Sequence, residues 1–241
     1  MKKIRLDQYL TDNGLFESKS KAQGNILAGN VLVNDKVITK CGYQLNENDN
    51  IRIKEKIPYV SRGGIKLAGF LDEQKIDVAD KIFIDVGSST GGFTDCLLKR
   101  GTRLVYAVDV GTNQLAMKLR NDDRVISLEQ FHANDLNTYN FDPKPEWAVI
   151  DVSFISLEKI IKSVMDTISG GKILALYKPQ FEIGHLIPNF KGIVKDNEIT
   201  LDGINKFGIF VKQYNYYIKS FSPCVISGPK GNREYFLEIT T

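Results

Sequence analysis

The sequence predicts an α/β protein in which a mostly parallel sheet is preceded by a smaller α+β unit, and three observations support this. After residue 64, apolar strand-like runs alternate with helix-like segments, a pattern typical of parallel sheets covered on both faces. A glycine-rich turn follows the first of these runs. The first 56 residues instead combine two short helical segments with short alternating strands.

The N-terminal unit is predicted over residues 1–56. A first helix begins at Leu6 and ends near Gly14, and a second begins after the capping residue Ser18 and ends at Gly29. Short strands are predicted after the helices, at 31–33, 37–38 and 51–53. Lys and Arg outnumber Asp and Glu in this part of the chain, which indicates a surface that binds polyanions or, alternatively, an ordinary solvated face.

The second domain is predicted over residues 65–241, after a linker at 57–64 that contains Pro58 and a pair of glycines. Its predicted strands are 82–86, 104–109, 124–128, 147–152 and 172–177, and its predicted helices are 65–75, 91–100, 112–121 and 156–168. Two further strand-like runs, at 214–221 and 235–239, predict a hairpin at the end of the chain.

The glycine-rich turn after the first strand predicts a cofactor site, because ligands bind at the carboxyl ends of such strands. Asp109 ends the next strand and is placed to accept hydrogen bonds from the hydroxyls of a ribose. Ser89 stands where a dinucleotide fingerprint has its second glycine, which disfavours NAD, and the P-loop pattern is missing. S-adenosyl-L-methionine fits better, and a tight turn without any ligand is the alternative.

The residues predicted to bind this cofactor follow from the turn and from the ends of the next two strands. Asp135, after the third strand, is placed to meet the adenine edge. The whole predicted set is Asp85, Gly87, Ser88, Ser89, Thr90, Gly91, Gly92, Phe93, Asp109 and Asp135.

Four polar residues are candidates for chemistry. Asp151 and Lys178 end apolar strands, Glu234 precedes the final strand, and Lys66 begins the first helix after the linker. Because the ends of parallel strands converge on one crevice, these side chains are expected to meet there. Each of them, taken singly, is also compatible with a structural or solvated charge.

Composition excludes several classes of protein. The formal net charge is +3, and the chain lacks both an apolar run of membrane-spanning length and the apolar core of a signal peptide. Three widely spaced cysteines favour reduced thiols and a cytoplasmic location. His132 and His185 are too few for a histidine-based metal site, so no metal is expected.

The first 55 residues resemble the S4 RNA-binding module. The resemblance is carried by Arg5-Leu6-Asp7, by the run 18–22 that opens the second helix, by 29–34 and by 49–51. It implies that Arg5, Lys19 and Lys21 contact RNA phosphates, and two of these residues lie in the first turn of a helix, which also attracts anions.

Nearly the whole chain resembles the TlyA family, which joins an S4 module to an FtsJ-type methyltransferase. The matching segments are 59–67, 85–98, 105–111, 151–157, 178–182 and 231–235. The resemblance implies a Rossmann-like, S-adenosylmethionine-dependent domain that methylates the 2′-hydroxyl of ribose in ribosomal RNA. Two segments depart from the family pattern: the loop at 181–192 carries fewer charges, and 129–134 differs in sequence.

The same resemblance implies a catalytic set of Lys66, Asp151, Lys178 and Glu234, and an RNA contact at Arg62. Removing a proton from a ribose hydroxyl requires a base, and we expect Lys178 to remove or orient that proton while Asp151 fixes the lysine. Lys66 and Glu234 would position the ribose. The expected partners are ribosomal RNA or ribosomal subunits, without membrane insertion. Two alternatives remain open: a catalytically silent RNA-binding protein, and a haemolysin, a name also used in this family, whose lytic effect is indirect.

Overall fold

The computed structural model describes residues 4–53, 57–228 and 230–241. These residues form two compact units, which divide between Lys56 and Ile57. Residues 54–56, at the end of the predicted N-terminal unit, lie outside the described residues.

The described residues of the N-terminal unit, 4–53, form two helices and five short strands. In chain order they are β1 (Ile4–Arg5), α1 (Leu6–Asp12), α2 (Lys19–Leu27), β2 (Val31–Val33), β3 (Lys36–Val37), β4 (Gln44–Leu45) and β5 (Ile51–Ile53). Strand β2 lies between β3 and β5 in an antiparallel sheet, and β1 pairs with β4. Ser18 caps α2 by accepting a hydrogen bond from the Lys21 N–H at 3.3 Å.

A buried carboxylate links the two helices of this unit. Asp7 is fully buried and accepts hydrogen bonds from the Arg5 guanidinium at 2.8 and 3.0 Å and from Gln23 Nε2 at 2.8 Å. The hydrogen bonds from Arg5 hold the pKa of Asp7 well below its usual range, although burial opposes this effect. Leu6, Leu10 and Ile26 pack around the network in a small apolar core.

The second unit contains the remaining elements. They are α3 (Arg62–Glu73), β6 (Ile82–Val86), α4 (Gly92–Lys99), β7 (Leu104–Val108), α5 (Met117–Arg120), β8 (Val125–Leu128), β9 (Trp147–Ile150), α6 (Ile161–Thr167), β10 (Lys172–Tyr177), α7 (Pro179–Glu182), α8 (Asn197–Lys212), β11 (Tyr217–Pro223) and β12 (Tyr235–Thr240). Short 3₁₀ segments lie at Ala133–Thr138, Leu157–Lys159 and Gly184–Leu186.

The seven strands of this unit form one sheet in the order β11-β12-β10-β9-β6-β7-β8. Neighbouring strands are parallel from β10 through β9, β6 and β7 to β8. Strand β12 is antiparallel to both β10 and β11. This confirms the predicted mostly parallel sheet and its terminal hairpin. The chain reverses its direction of travel across the sheet between β6 and β9, and ligands bind at such switch points.

Both faces of the sheet are covered by helices. Leu67 and Phe70 of α3 and Leu97 of α4 pack on one face, and a second buried cluster under α6 and α8 covers the other. The near-continuous apolar strands follow from this arrangement, because a parallel sheet buries both of its faces. No helix in the described ranges is both long and apolar enough to cross a membrane.

Several details differ from the expectations, and the short elements β1, β4 and α7 were not predicted. Residues 62–64, assigned to the linker, form the first turn of α3, and the helix predicted over 112–121 is confined to Met117–Arg120. The longest helix, α8, was not predicted, because Thr200, Gly203 and Gly208 weaken its helical propensity. Gly203 is needed there, since a Cβ atom would lie 2.4 Å from the Tyr177 hydroxyl of β10.

We predict that Asp7→Asn lowers the local stability of the N-terminal unit by about 2 kcal/mol, because the amide cannot replace the charge-assisted hydrogen bonds from Arg5. Amide hydrogen exchange of α1 and α2 in the full chain measures this loss. Asp12→Asn is the matched control, since Asp12 is exposed and accepts its bond from the Gln8 side chain. Equal protection in the two variants would contradict the prediction.

Candidate active site

A deep cleft opens at the carboxyl ends of β6, β9 and β10. Its volume is about 670 Å³. The side chains predicted to carry chemistry all line this main cleft, together with most of the glycine-rich turn: Lys66, Asp85, Gly87, Ser88, Ser89, Thr90, Gly92, Phe93, Asp151, Lys178 and Glu234. The switch point of the sheet therefore coincides with the predicted site.

The glycine-rich turn depends on left-handed backbone conformations. Gly87 has φ +82° and Gly91 has φ +90°, and Ser89 between them has φ +46°. A Cβ atom at Gly87 would lie 2.8 Å from the carbonyl oxygen of Asp151. Gly91 faces Leu115 and Leu119 rather than the cleft, so it shapes the turn without lining the site. The turn thus brings the ends of β6 and β9 into close contact.

Asp85 lies at the base of this turn and is completely buried. Thr94 donates its N–H at 3.0 Å and its hydroxyl at 2.6 Å to Oδ2, while Oδ1 has no hydrogen-bond partner among the described residues. Burial raises the pKa of Asp85 to about 7, although the bonds from Thr94 oppose this effect. An unpartnered oxygen in the cleft wall is a place for a ligand cation or N–H group.

A smaller side chamber, of about 420 Å³, lies next to the main cleft and contains Asp109. The two carboxylate oxygens of Asp109 accept hydrogen bonds of 2.7 Å from the N–H groups of Ser89 and Gly111. Apolar walls from Val110, Phe131 and Ile155 complete the chamber. Five residues line both spaces: Gly87, Ser89, Asp151, Ser153 and Phe154.

Asp135 lies outside both spaces, in the 3₁₀ segment Ala133–Thr138, and is exposed. Its neighbours His132 and Asn134 line the side chamber instead. Neither residue was singled out from the sequence, because the segment differs from the family pattern and the short helix offers no apolar repeat that fixes which face points inward.

Two lysine ammonium groups in the main cleft are each held against a carboxylate. Lys178 Nζ lies 2.5 Å from Asp151 Oδ1, and Lys66 Nζ lies 2.5 Å from Glu234 Oε2. Both lysines and Glu234 are buried, whereas Asp151 is partly exposed. Pairing with opposite charges is what makes the burial of these ions tolerable.

Sequence reasoning did not single out three polar or aromatic groups of the cleft. Ser153 Oγ accepts a hydrogen bond of 2.9 Å from Lys178 Nζ, and Gln180 Nε2 donates one of 3.4 Å to Glu234 Oε1. The Phe154 ring is 91% exposed and lies 5.0 Å from the Phe181 ring. The sequence signal that could have found them is their position two or three residues beyond Asp151 or Lys178.

The residues predicted to contact RNA occupy different environments. Arg5 is bound to Asp7, and Lys21 forms an ion pair with Glu17. Lys19 is exposed and has no ion-pair partner among the described residues. Arg62 lines the main cleft and donates a hydrogen bond of 2.8 Å to the Ser227 carbonyl.

The side chamber and glycine-rich turn fit S-adenosylmethionine. Asp109 keeps acceptor capacity on both oxygens for a ribose diol, and the apolar chamber walls suit an adenine ring. The unpartnered Oδ1 of Asp85 suits the ammonium group of the methionine part. Gly87, which has no side chain, lines both spaces.

We predict that the affinity for S-adenosylmethionine rises about tenfold between pH 6 and pH 8, because Asp85, with a pKa of about 7, must be ionised to pair with the ammonium. Asp85→Asn should bind more weakly and show little pH dependence. Calorimetric titrations at both pH values measure this. The same pH dependence in Asp85→Asn would place its origin in the ligand and contradict the prediction.

Comparisons with known proteins identify the family of this chain. Residues 59–240 match the model of the FtsJ-like methyltransferases, and residues 4–51 match that of the S4 domain. The chain is 44% identical to hemolysin A of Brachyspira hyodysenteriae, over 96% of this chain and 98% of the relative. It is 33% identical to the 16S/23S rRNA (cytidine-2'-O)-methyltransferase TlyA of Mycobacterium tuberculosis, over 100% of this chain and 91% of that protein.

A solved structure of a Streptococcus thermophilus protein, provisionally named a hemolysin, matches with 40% identity and a TM-score of 0.74. The match covers 100% of this chain and 89% of the chain in that structure. These findings confirm the resemblance drawn from the motifs, including S-adenosylmethionine as the cofactor. The chain belongs to the TlyA family of FtsJ-like methyltransferases that carry an S4 domain at the N-terminus.

Proposed function

We propose that this enzyme transfers a methyl group from S-adenosylmethionine to a ribose 2′-hydroxyl of ribosomal RNA. The observation that carries the proposal is the placement of two buried lysine–carboxylate pairs, Lys178–Asp151 and Lys66–Glu234, in one cleft. That cleft shares a wall with the chamber of Asp109. The donor and acceptor of a methyl group therefore have adjoining sites.

The residues of the main cleft have distinct roles in this proposal. S-adenosylmethionine, when bound, supplies a methyl carbon that is already activated by the sulfonium. Lys178 Nζ accepts or orients the proton of the 2′-hydroxyl, a task that requires a base within hydrogen-bond reach. Asp151, 2.5 Å away, compensates the charge that Lys178 then carries.

The second pair positions the ribose. Glu234 is buried between Lys66 and Gln180. Its Oε2 accepts a hydrogen bond from Lys66 Nζ, and its Oε1 accepts one from Gln180 Nε2. This leaves further Nζ protons of Lys66 for oxygens of the substrate. Because alignment supplies much of the rate in a displacement of this kind, we assign this pair to binding geometry.

An RNA substrate is supported by the S4 domain and by the relatives. The curated relative named TlyA acts on 16S and 23S rRNA according to its name. Arg62 and Lys230 line the main cleft, where they can contact phosphates. Ribosomal subunits are the proposed partners, and a ribosomal substrate supports a cytoplasmic location for the enzyme.

We predict that Lys178→Ala reduces methyl transfer by at least about 100-fold, because the variant lacks the general base. The assay measures tritium transfer from S-adenosylmethionine to purified ribosomal subunits that lack this modification, followed by digestion to identify a 2′-O-methylnucleoside. Lys206→Ala is the matched control, since Lys206 is exposed on α8 and pairs with Asp202. Near-normal turnover of Lys178→Ala would refute its role.

If the wild type binds S-adenosylmethionine but transfers no methyl group to either subunit or to free ribosomal RNA, the proposal for the substrate fails. A silent RNA-binding protein would then be the better description. Dye release from liposomes by the pure protein would instead favour direct lysis.

We also predict that Lys19→Ala weakens binding to ribosomal RNA by a similar factor for every sequence tested and reduces the slope of log K against log salt by about 1. Lys19 is exposed in the first turn of α2 and has no ion-pair partner among the described residues, whereas Lys21 pairs with Glu17 and Arg5 with Asp7. Filter binding over a series of salt concentrations measures the slope. An unchanged slope would remove Lys19 from the interface.

A further inference from the structure

The two oxygen neighbours of Lys178 Nζ differ in geometry. Asp151 Oδ1 lies 2.5 Å away but has no hydrogen-bond partner in the described chain, so this contact is an ion pair without hydrogen-bond direction. Ser153 Oγ, in contrast, accepts a directed hydrogen bond of 2.9 Å from Nζ. The charge of Lys178 is thus balanced by Asp151, while its orientation depends on Ser153.

Ser153 lies where the main cleft and the side chamber meet, because it lines both spaces. A cofactor with its ribose at Asp109 in the side chamber and its ammonium at Asp85 in the main cleft would span this boundary, so its methyl group would lie near it. Lys178 also lines the main cleft. The hydrogen bond between them therefore lies beside the proposed reacting atoms.

The loop that carries Ser153 is fastened to the segment that carries Lys178. Glu182, four residues after Lys178, accepts hydrogen bonds from the Ser156 hydroxyl at 2.6 Å and from the Leu157 N–H at 3.0 Å. Burial of Glu182 raises its pKa, although both hydrogen bonds oppose this effect. The distance between Ser153 and Lys178 is thus set by these hydrogen bonds to Glu182 as well as by the bond between the two residues.

We propose that Ser153 is a positioning residue that fixes the rotation of the Lys178 amine, so that its lone pair faces the ribose hydroxyl. This inference rests on the proposed function of Lys178 as the base. To act as the base, the Lys178 ammonium must first release one proton to solvent, and the neutral amine then has two protons and one lone pair in tetrahedral directions. With one N–H directed to Ser153 and the other side of the nitrogen facing Asp151, the lone pair points into the cleft.

The proton balance follows from this geometry. The O–H bond of the 2′-hydroxyl breaks as an N–H bond forms on Lys178, and the resulting ammonium keeps its hydrogen bond to Ser153 Oγ. Ser153 neither gains nor loses a proton.

The test compares Ser153→Ala with Ser153→Thr in the methyl-transfer assay at saturating cofactor and RNA. In Ser153→Ala we expect kcat to fall about tenfold while the affinity for S-adenosylmethionine is unchanged. The midpoint of the rising limb of the pH–rate profile should move to lower pH, since the ammonium loses a stabilising acceptor. Ser153→Thr keeps the hydroxyl on an exposed side chain and should restore both values.

Two further variants separate orientation from general loop effects. Ser169→Ala removes an exposed hydroxyl outside both spaces and is the control for activity. Ser156→Ala weakens the anchor to Glu182 without touching Lys178, so it should leave the pH midpoint in place. An equal shift in Ser156→Ala, or a Ser153→Ala variant with normal kcat and pH profile, would overturn the inference.

Failure of the proposed function has a different signature. If the wild type transfers no methyl group, or if Lys178→Ala remains active, the assignment of Lys178 is wrong, and the role proposed for Ser153 is then wrong as well. If the wild type is active, Lys178→Ala is inactive and Ser153→Ala behaves as the wild type, only the role of Ser153 is wrong.

Discussion

The close approach of two strand ends is the constraint on which the site depends. Asp151 donates its N–H to the Val86 carbonyl at 2.9 Å. The carbonyl of Asp151 can lie close to residue 87 only because that residue is a glycine and has no Cβ atom. A side chain there would push β6 and β9 apart at the switch point of the sheet. The glycine-rich turn and the carboxylate that pairs with Lys178 would then no longer be neighbours.

The pairing of charges in the main cleft links distant parts of the chain. Lys66 and Glu234 are separated by 168 residues, and they meet only when α3 and the last strand are both in place. A buried ion whose partner is missing carries the cost of desolvation without its electrostatic compensation. The chemistry proposed for the cleft is therefore tied to completion of the second unit's fold, because the pair exists only in the folded state.

Much of this architecture could be predicted from local signals. Apolar runs such as 82–86 and 172–177 coincide with strands β6 and β10 because a parallel sheet buries both faces of its strands. Helix α8 was not predicted, because its stability comes from packing of Ile204 and Phe207 against the sheet rather than from the helical propensity of its residues. The family resemblance led us to expect Asp151 beside Lys178, whereas the contact of Lys66 with Glu234 was beyond local signals, since it is made by tertiary structure.

The wall shared by the main cleft and the side chamber has a thermodynamic consequence. Ser153 and Phe154 border both spaces, so a shift of their loop on binding of one ligand changes the surface offered to the other. Such coupling is reciprocal: whatever factor the cofactor contributes to RNA affinity, RNA contributes to cofactor affinity. The order in which the two ligands arrive can then affect rates, but the stability of the ternary complex is independent of the path.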